Sequence, residues 1–158
     1  MKKILICFAL IFLLPLSAAA DENWERVFSD KSGIYYIEKT TVLPRLDNKG
    51  LYANVWSRQV PSIAFIDSVV GKSSQENKIK TYNIGEIISH FEIRPSTWEY
   101  CVLKRIIYDK NNKVMYVYNE KSSWKRFKPN TAIDAIARKA VVISVQKAVV
   151  ANKAKKTL

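Results

Sequence analysis

The sequence predicts an α+β domain in which an antiparallel β-sheet of about six strands carries a C-terminal α-helix on one face. Short apolar or alternating segments, each bounded by turn residues, occupy residues 24–127. One long segment with helical periodicity follows, at about 131–153. Apolar residues make up 48% of the 158 residues and charged residues 25%, so the chain has enough apolar surface for one folded core.

Residues 1–20 have the three parts of a secretory signal peptide. Two lysines supply the positive start, residues 4–14 form the apolar run, and residues 17–20 are the small residues that precede cleavage. The apolar run is shorter than the roughly 20 residues that cross a bilayer, and no cysteine stands at the cleavage point to carry a lipid. We therefore expect a mature domain of residues 21–158, exported by the general secretory route to the periplasm, the cell surface or the medium.

The mature domain is strongly basic. Cleavage removes two of the 26 basic residues and none of the 14 acidic ones, which leaves a net charge of +10. An exported cationic domain meets anionic lipids, acidic polysaccharides and host matrix more readily than nucleic acid, for which the chain has no recognition motif. Cleavage also removes Cys7 and leaves Cys101 alone, so we expect no intrachain disulfide.

The first half of the mature chain is predicted to form strands separated by turns. Residues 51–58 alternate with a period of two, which is typical of a half-buried strand. The segment 61–85 gives the weakest signals: residues 63–70 are compatible with a short helix and residues 71–80 with a polar loop, and the sequence does not settle the structure of the segment as a whole. The other strands predicted here are 24–28 and 34–37, with turns at 29–33 and 47–50.

A β-hairpin is predicted for residues 87–108, and further short strands for 114–118 and 124–127. If Pro95 and Ser96 are the two loop residues, Phe91 faces Tyr100 and His90 faces Cys101. The pairs Ile93–Trp98, Phe91–Tyr100 and Ser89–Val102 then form one face suited to a core.

The terminal helix is predicted to begin at Thr131, the N-cap, with Asp134 three residues later. That spacing lets the two side chains satisfy free amides of the first turn, and Asp134 suits the positive end of the helix dipole. The stripe expected to face the sheet comprises Ile133, Ile136, Ala137, Ala140, Val141, Ser144 and Ala148.

A second apolar stripe on this helix consists of Val142, Val145 and Val149. Helical geometry places it beside Asp134, away from the core-facing stripe. Exposed valines in this arrangement predict contact with a partner or with a second copy in a homodimer. The alternative is that residues 61–85 fold over the helix and bury them, and a helix lying on a membrane surface is a third reading.

The only candidate for catalysis is Cys101 with His90, the one histidine of the chain. The competing reading is a buried cysteine beside a surface histidine, and no third orienting group accompanies the pair. The sequence has no glycine-rich phosphate loop, no cluster of metal-ligating residues and no nucleophile elbow. We therefore predict a protein that is not an enzyme and that needs no cofactor or metal.

The candidate binding residues form a basic run with interleaved aromatic side chains. Residues 121–128 contain the run, and two further cations in the hairpin join it. Such a patch suits sulfated polysaccharide, lipid head groups or an acidic protein surface. The competing reading is a solvated edge strand, since lysines on an edge discourage aggregation. The predicted contacts are Lys104, Arg105, Trp124, Lys125, Arg126 and Lys128.

The order and spacing of several segments resemble the bacterial surface-adhesin protein E-like domains. The segments are Trp24, the run Asp30 to Ile37, Val55-Trp56, Tyr100-Cys101, Tyr108 to Lys110, Trp124 and Pro129 to Thr131. The resemblance implies a sheet of about six strands with a C-terminal helix and a secreted or surface role, with some relatives binding host matrix proteins. This chain departs from the pattern in having no second cysteine near its C-terminus and no cysteine to anchor a lipid.

Together these observations predict an adhesin-like, non-catalytic binding domain. Its basic patch would contact a host matrix protein or an anionic polysaccharide or lipid surface. The alternative is a structural or assembly protein of the periplasm that dimerises through Val142, Val145 and Val149 of the terminal helix.

Overall fold

The computed structural model describes residues 23–70 and 82–156. In that part of the chain an antiparallel sheet of eight strands carries one long helix, so the predicted fold class is confirmed. The predicted signal peptide at 1–20 and the predicted loop at 71–80 lie outside the described residues. The elements are β1 Trp24–Asp30, β2 Gly33–Glu38, β3 Leu43–Asp47, β4 Gly50–Pro61, α1 Ile63–Val70, β5 Ile84–Arg94, β6 Glu99–Asp109, β7 Val114–Tyr118, β8 Lys125–Arg126 and α2 Ala132–Lys156.

The strands follow the order β1-β2-β4-β5-β6-β7, with β3 beside β4 and β8 beside β6. The helix α2 packs mainly against β1, β2 and β4, which leaves the β6 side of the same face more open. Neither described helix is long and apolar enough to cross a membrane.

The core lies between α2 and the sheet because β4 and β5 alternate in register. Ala53 and Val55 lie opposite Ile93 and Phe91, and all four are buried. Side chains of α2 are buried against this cluster, and those that belong to it are Ile136, Ala137, Ala140 and Ile143.

The predicted core-facing stripe of α2 is confirmed except at its end. Ile133 and Val141 are half-buried and Ser144 is buried, but Ala148 is exposed, as are its neighbours from residue 145 to 153. The last turns of α2 therefore extend beyond the core cluster. Ile143, which the periodicity did not select, is buried instead.

The start of α2 is capped much as the sequence predicts. The hydroxyl of Thr131 accepts a hydrogen bond from the Asp134 amide at 3.4 Å, while Asp134 Oδ2 accepts one from the Asn130 amide at 2.8 Å. Asp134 is buried, contrary to the expected position on the exposed side, because its carboxylate serves this cap and also receives Arg138.

The predicted register of the hairpin is wrong by two residues. Residues Pro95–Thr97 form a turn of 3-10 helix and Trp98 adopts a left-handed conformation with φ 56°, so the loop is longer than expected. Ile93 consequently pairs with Tyr100 and Phe91 with Val102. A shift of two residues keeps each side chain on its predicted face, because side chains alternate with a period of two.

One extra residue in β6 changes the alternation further along the hairpin. Phe91 pairs with Val102 and His90 with Lys104, which leaves Leu103 as a β-bulge. Beyond the bulge, Lys104 lies on the face away from α2, and Arg105 lies opposite Ser89 on the face that carries α2.

Strand β3 was not predicted from the sequence. It contains Pro44, which lacks a backbone donor and argues against a central strand. Residues Leu43–Asp47 nevertheless pair with β4, at an edge position where proline is tolerated.

Candidate functional site

The predicted basic patch is divided between the two faces of the sheet. Arg105 lies on the face that carries α2, and so does Lys125, which pairs with Tyr100. Lys104 lies on the opposite face, and so does Arg126, which pairs with Glu99. Lys128 is exposed in the segment between β8 and α2. The structure therefore brings Arg105 and Lys125 together and separates Lys104 and Arg126 from them.

Arg105 and Lys125 both line a groove of about 500 Å³, here called the basic groove. Both side chains are exposed, and in the described part of the chain neither has a carboxylate within salt-bridge distance. Arg105 Nε donates a hydrogen bond to Ser89 Oγ at 3.2 Å, which fixes the guanidinium at one side of the groove. The other residues that line the basic groove are Tyr100, Val102, Ile107, Tyr118, Glu120 and Ser122.

Ser122 explains why Lys125 reaches the groove. Its amide donates to the Val102 carbonyl at 2.8 Å, and its hydroxyl accepts from the Val102 amide at 2.9 Å. These bonds attach the segment between β7 and β8 to the edge of β6, so that Lys125 lies across from Tyr100. The sequence analysis missed Ser122 and Tyr118 because neither belongs to the basic run.

Trp124 lies on the face away from α2, where a cation covers its ring. The guanidinium of Arg94 is 3.9 Å from the ring centroid of Trp124 and 5.9 Å from that of Tyr52. Arg94 also donates a hydrogen bond to Asp47, and this bond lowers the pKa of the Asp47 carboxyl. Trp124 is half-buried in this cluster, which connects the segment before β8 to β4 and β5.

The predicted contact between Cys101 and His90 is wrong, because Cys101 pairs with Glu92. The Cys101 thiol is fully buried and donates to Glu92 Oε2 at 3.5 Å, while Lys121 Nζ donates to the same oxygen at 2.6 Å. Burial raises the pKa of Cys101 to about 11, so the thiol is protonated at neutral pH.

His90 lies in a different environment from the thiol. Its ring stacks on Trp56 with the ring centroids 4.6 Å apart, and its strand partner on β6 is Lys104. Burial, with a further contribution from Lys104, lowers the pKa of His90. The charge of Glu92 opposes this lowering of the His90 pKa in part. An imidazole that stacks on Trp56 and has Lys104 opposite it is not placed to activate Cys101.

The valine stripe of α2 is exposed. Val142, Val145 and Val149 are 47%, 57% and 48% accessible. The alternative was that residues 61–85 fold over the helix and bury these valines. It is wrong for the described parts of that segment, since neither α1 nor residues 82–85 cover them. Residues 71–81 lie outside the described residues. Val142 also borders an apolar groove of about 390 Å³ between α2 and the hairpin turn, lined further by Pro95, Trp98, Phe127, Asp134, Ala137, Arg138 and Val141.

No family model matches the chain, and no curated protein matches it. Among solved structures the chain is similar to Haemophilus influenzae protein E in its crystal form II. The two are 10% identical, the alignment covers 79% of this chain and 89% of the other, and the TM-score is 0.46. At this level of similarity, membership of the protein E-like family stays a prediction.

Proposed function

We propose that this protein is an exported, non-catalytic binding domain of adhesin-like type, which contacts an anionic partner through the basic groove. The partner would be an acidic polysaccharide or lipid surface, or an acidic segment of a host matrix protein. The observation that supports the proposal is the convergence of Arg105 and Lys125 on one exposed groove. The two residues are far apart in sequence, and among the described residues no carboxylate neutralises either of them.

The groove offers two kinds of contact to such a ligand. The guanidinium of Arg105 can bind a carboxylate or sulfate with two parallel hydrogen bonds, while Lys125 acts as a flexible point charge at the other side. Tyr100 and Tyr118 add apolar surface with hydroxyl groups. Glu120 also lines the groove, and its charge opposes a ligand whose anionic groups are closely spaced.

The test compares two double variants that remove the same charge from opposite faces. The mature domain, 21–158, is passed over immobilised heparin, a polyuronate and matrix glycoproteins while salt is raised through about 0.15 M, where the Debye length is roughly 8 Å. Arg105→Ala with Lys125→Ala should weaken binding by about tenfold or more, the equivalent of ~1.4 kcal/mol. Lys104→Ala with Arg126→Ala should change binding by less than about threefold, because surface charges outside a site contribute little.

Equal losses in the two double variants would contradict the proposal, because they would show that binding follows net charge alone. Undiminished binding in the Arg105/Lys125 variant would contradict it as well. Circular dichroism of each variant checks that the fold is intact.

A second candidate function, assembly through α2, is supported by the exposed valine stripe and the apolar groove that adjoins it. Sedimentation of the wild-type domain should show a dimer, and Val145→Asp should convert it to a folded monomer. Val150→Asp is the matched control, because Val150 is 67% exposed on the same helix and lies about 140° away from Val145 around it, at roughly 100° per residue. A monomeric wild type, or equal effects of both substitutions, would exclude assembly through this stripe.

A further inference from the structure

A second, more enclosed space of about 180 Å³ lies beneath the first turn of α2, here called the inner cavity. Arg105 and Tyr100 line both the inner cavity and the basic groove, so the two spaces adjoin. The remaining residues that line the inner cavity are Tyr35, Ser57, Gln59, Ser89, Phe91, Ala132, Ile133 and Ile136.

The inner cavity arises from a break in the apolar pattern of two neighbouring strands. On β4 the successive positions that face α2 are Ala53, Val55 and Ser57. On the antiparallel strand β5 their partners are Ile93, Phe91 and Ser89, so both strands change from apolar residues to serine at the same row. Ser57 pairs with Ser89, and Ser89 pairs with Arg105, so three strands place these residues in one row. Two small hydroxyl side chains at core-facing positions leave space beside an arginine.

The two serines are as buried as the apolar core around them, each 4% accessible. Ser89 Oγ accepts the hydrogen bond from Arg105 Nε. Ser57 Oγ lines the inner cavity, and it is not one of the sealed, unpaired side-chain atoms found in the described part of the chain. A hydroxyl that borders such a space can donate a hydrogen bond to a ligand group or to water in it.

The inner cavity is electropositive. Arg105 contributes a full charge, and none of the residues that line the space is a carboxylate. Ala132 and Ile133 are the first two residues of α2, whose amides have no acceptor within the helix. The buried carboxylate of Asp134 in the same turn offsets part of the positive end of the helix dipole, so Arg105 supplies most of the positive field.

We propose that the inner cavity binds one carboxylate of an acidic polysaccharide whose neighbouring residues occupy the basic groove. Arg105, the Ser57 hydroxyl and the first-turn amides of α2 are the donors. The planar guanidinium of Arg105 can bind both oxygens of a planar carboxylate through two parallel hydrogen bonds. A sulfate ester on a sugar also carries a single charge, so shape, and not charge, is what favours the carboxylate here. A uronic acid carries its carboxylate on a sugar ring, whose other hydroxyls suit the tyrosine-lined groove outside. The inference rests on the proposed function, since it names the ligand class for the same groove.

The experiment titrates the ¹⁵N-labelled mature domain with sodium glucuronate at constant ionic strength, with glucose and sodium sulfate as control probes. Glucuronate should produce saturable shifts of the Arg105 Nε–H signal and of the Ala132 and Ile133 amide signals. Glucose should produce none, and sulfate should bind at least about tenfold more weakly, because it lacks the planar shape of a carboxylate. Shifts that never saturate, or that sulfate reproduces equally, would overturn the proposal.

Three variants locate the contact. Ser57→Val fills the inner cavity and should abolish the saturable shifts. Ser57→Ala keeps the space but removes the hydroxyl donor, and it should weaken the affinity for glucuronate by about three- to tenfold. Ser96→Val, at an exposed serine, should leave the shifts unchanged.

Binding of the polymer separates this inference from the proposed function. If Ser57→Val leaves polyuronate binding unchanged while the Arg105/Lys125 variant loses it, the inner cavity is not a subsite and the groove proposal stands. If neither variant weakens the binding of polyuronate, both proposals fail. A short acidic peptide that binds the inner cavity as tightly as glucuronate overturns the assignment to a sugar acid.

Discussion

Replacing Ile136 with alanine removes the side chain through which the first turns of α2 contact the centre of the sheet. Ile136 is 1% exposed and belongs to the core cluster that α2 forms with β4 and β5. It also lines the inner cavity, so its loss enlarges a space that already exists. The neighbouring side chains therefore have little opportunity to close over the gap.

The expected cost follows from the volume removed. Three methylene equivalents contribute about 2.4 kcal/mol at roughly 0.8 kcal/mol each. The remaining void adds to this, and Ile→Ala substitutions in cores cost about 2–5 kcal/mol in all. We expect a loss of about 3–4 kcal/mol in the free energy of unfolding. For a domain of this size that lowers the midpoint of thermal unfolding by roughly 10 °C.

Urea unfolding of the mature domain, followed by far-UV circular dichroism, measures this loss. Val150→Ala is the control, because Val150 is 67% exposed on the same helix and lies outside the valine stripe; its cost should stay within about 0.5 kcal/mol. A loss below about 1 kcal/mol for Ile136→Ala would refute the packing of α2 on the sheet. A loss of equal size in the control would show that helix propensity, and not burial, determines the result.

The further predictions concern three residues, Thr131, Cys101 and Gly33. Thr131→Ala removes the acceptor for a first-turn amide and should cost about 1 kcal/mol in urea unfolding, and an unchanged midpoint would contradict this. Cys101 should react with iodoacetamide only after denaturation, and rapid labelling of the native domain would show that it is accessible. Since burial raises its pKa to about 11, the unfolded thiol ionises first, and the wild type should lose stability relative to Cys101→Ala between about pH 8.5 and 11. Gly33→Ala would bring a Cβ against the Val60 carbonyl oxygen, at a backbone φ of +137° that residues other than glycine rarely adopt. The substitution should lower the free energy of unfolding in urea by about 1–3 kcal/mol. Gly50→Ala meets no atom within 3.4 Å and should cost less, so equal losses would contradict the prediction.

The strands and the terminal helix were predictable because their signals are local. Alternation in 51–58, the turn residues between segments and the spacing of Thr131 and Asp134 each specify structure within a few residues. Strand β3 lacked such a signal, because Pro44 conceals it and pairing with β4 stabilises it. Tertiary contacts, which no local pattern reports, determine that strand.

The candidate site was less predictable, because it depends on register. The left-handed conformation of Trp98 lengthens the hairpin turn, and nothing in the sequence indicates that conformation for a tryptophan. The basic run suggested one surface, but successive side chains of a strand point to opposite faces, so Lys104 and Arg105 separate. Ser57 and Ser89 were visible as polar residues in apolar patterns, but their pairing with each other appears only in the folded sheet.

The bulge at Leu103 decides which of two adjacent cations lies beside the serines. A regular ladder continued from the Phe91–Val102 pair would set Leu103 opposite His90 and Lys104 opposite Ser89, and Arg105 would then lie on the face away from α2. Because Leu103 is the extra residue, Arg105 takes the place opposite Ser89 instead. Removing Leu103 would leave Val102, Lys104 and Arg105 in regular alternation with the β5 partners that they already have. Strand β6 can therefore become one residue shorter at this point without moving its charge from one face of the sheet to the other.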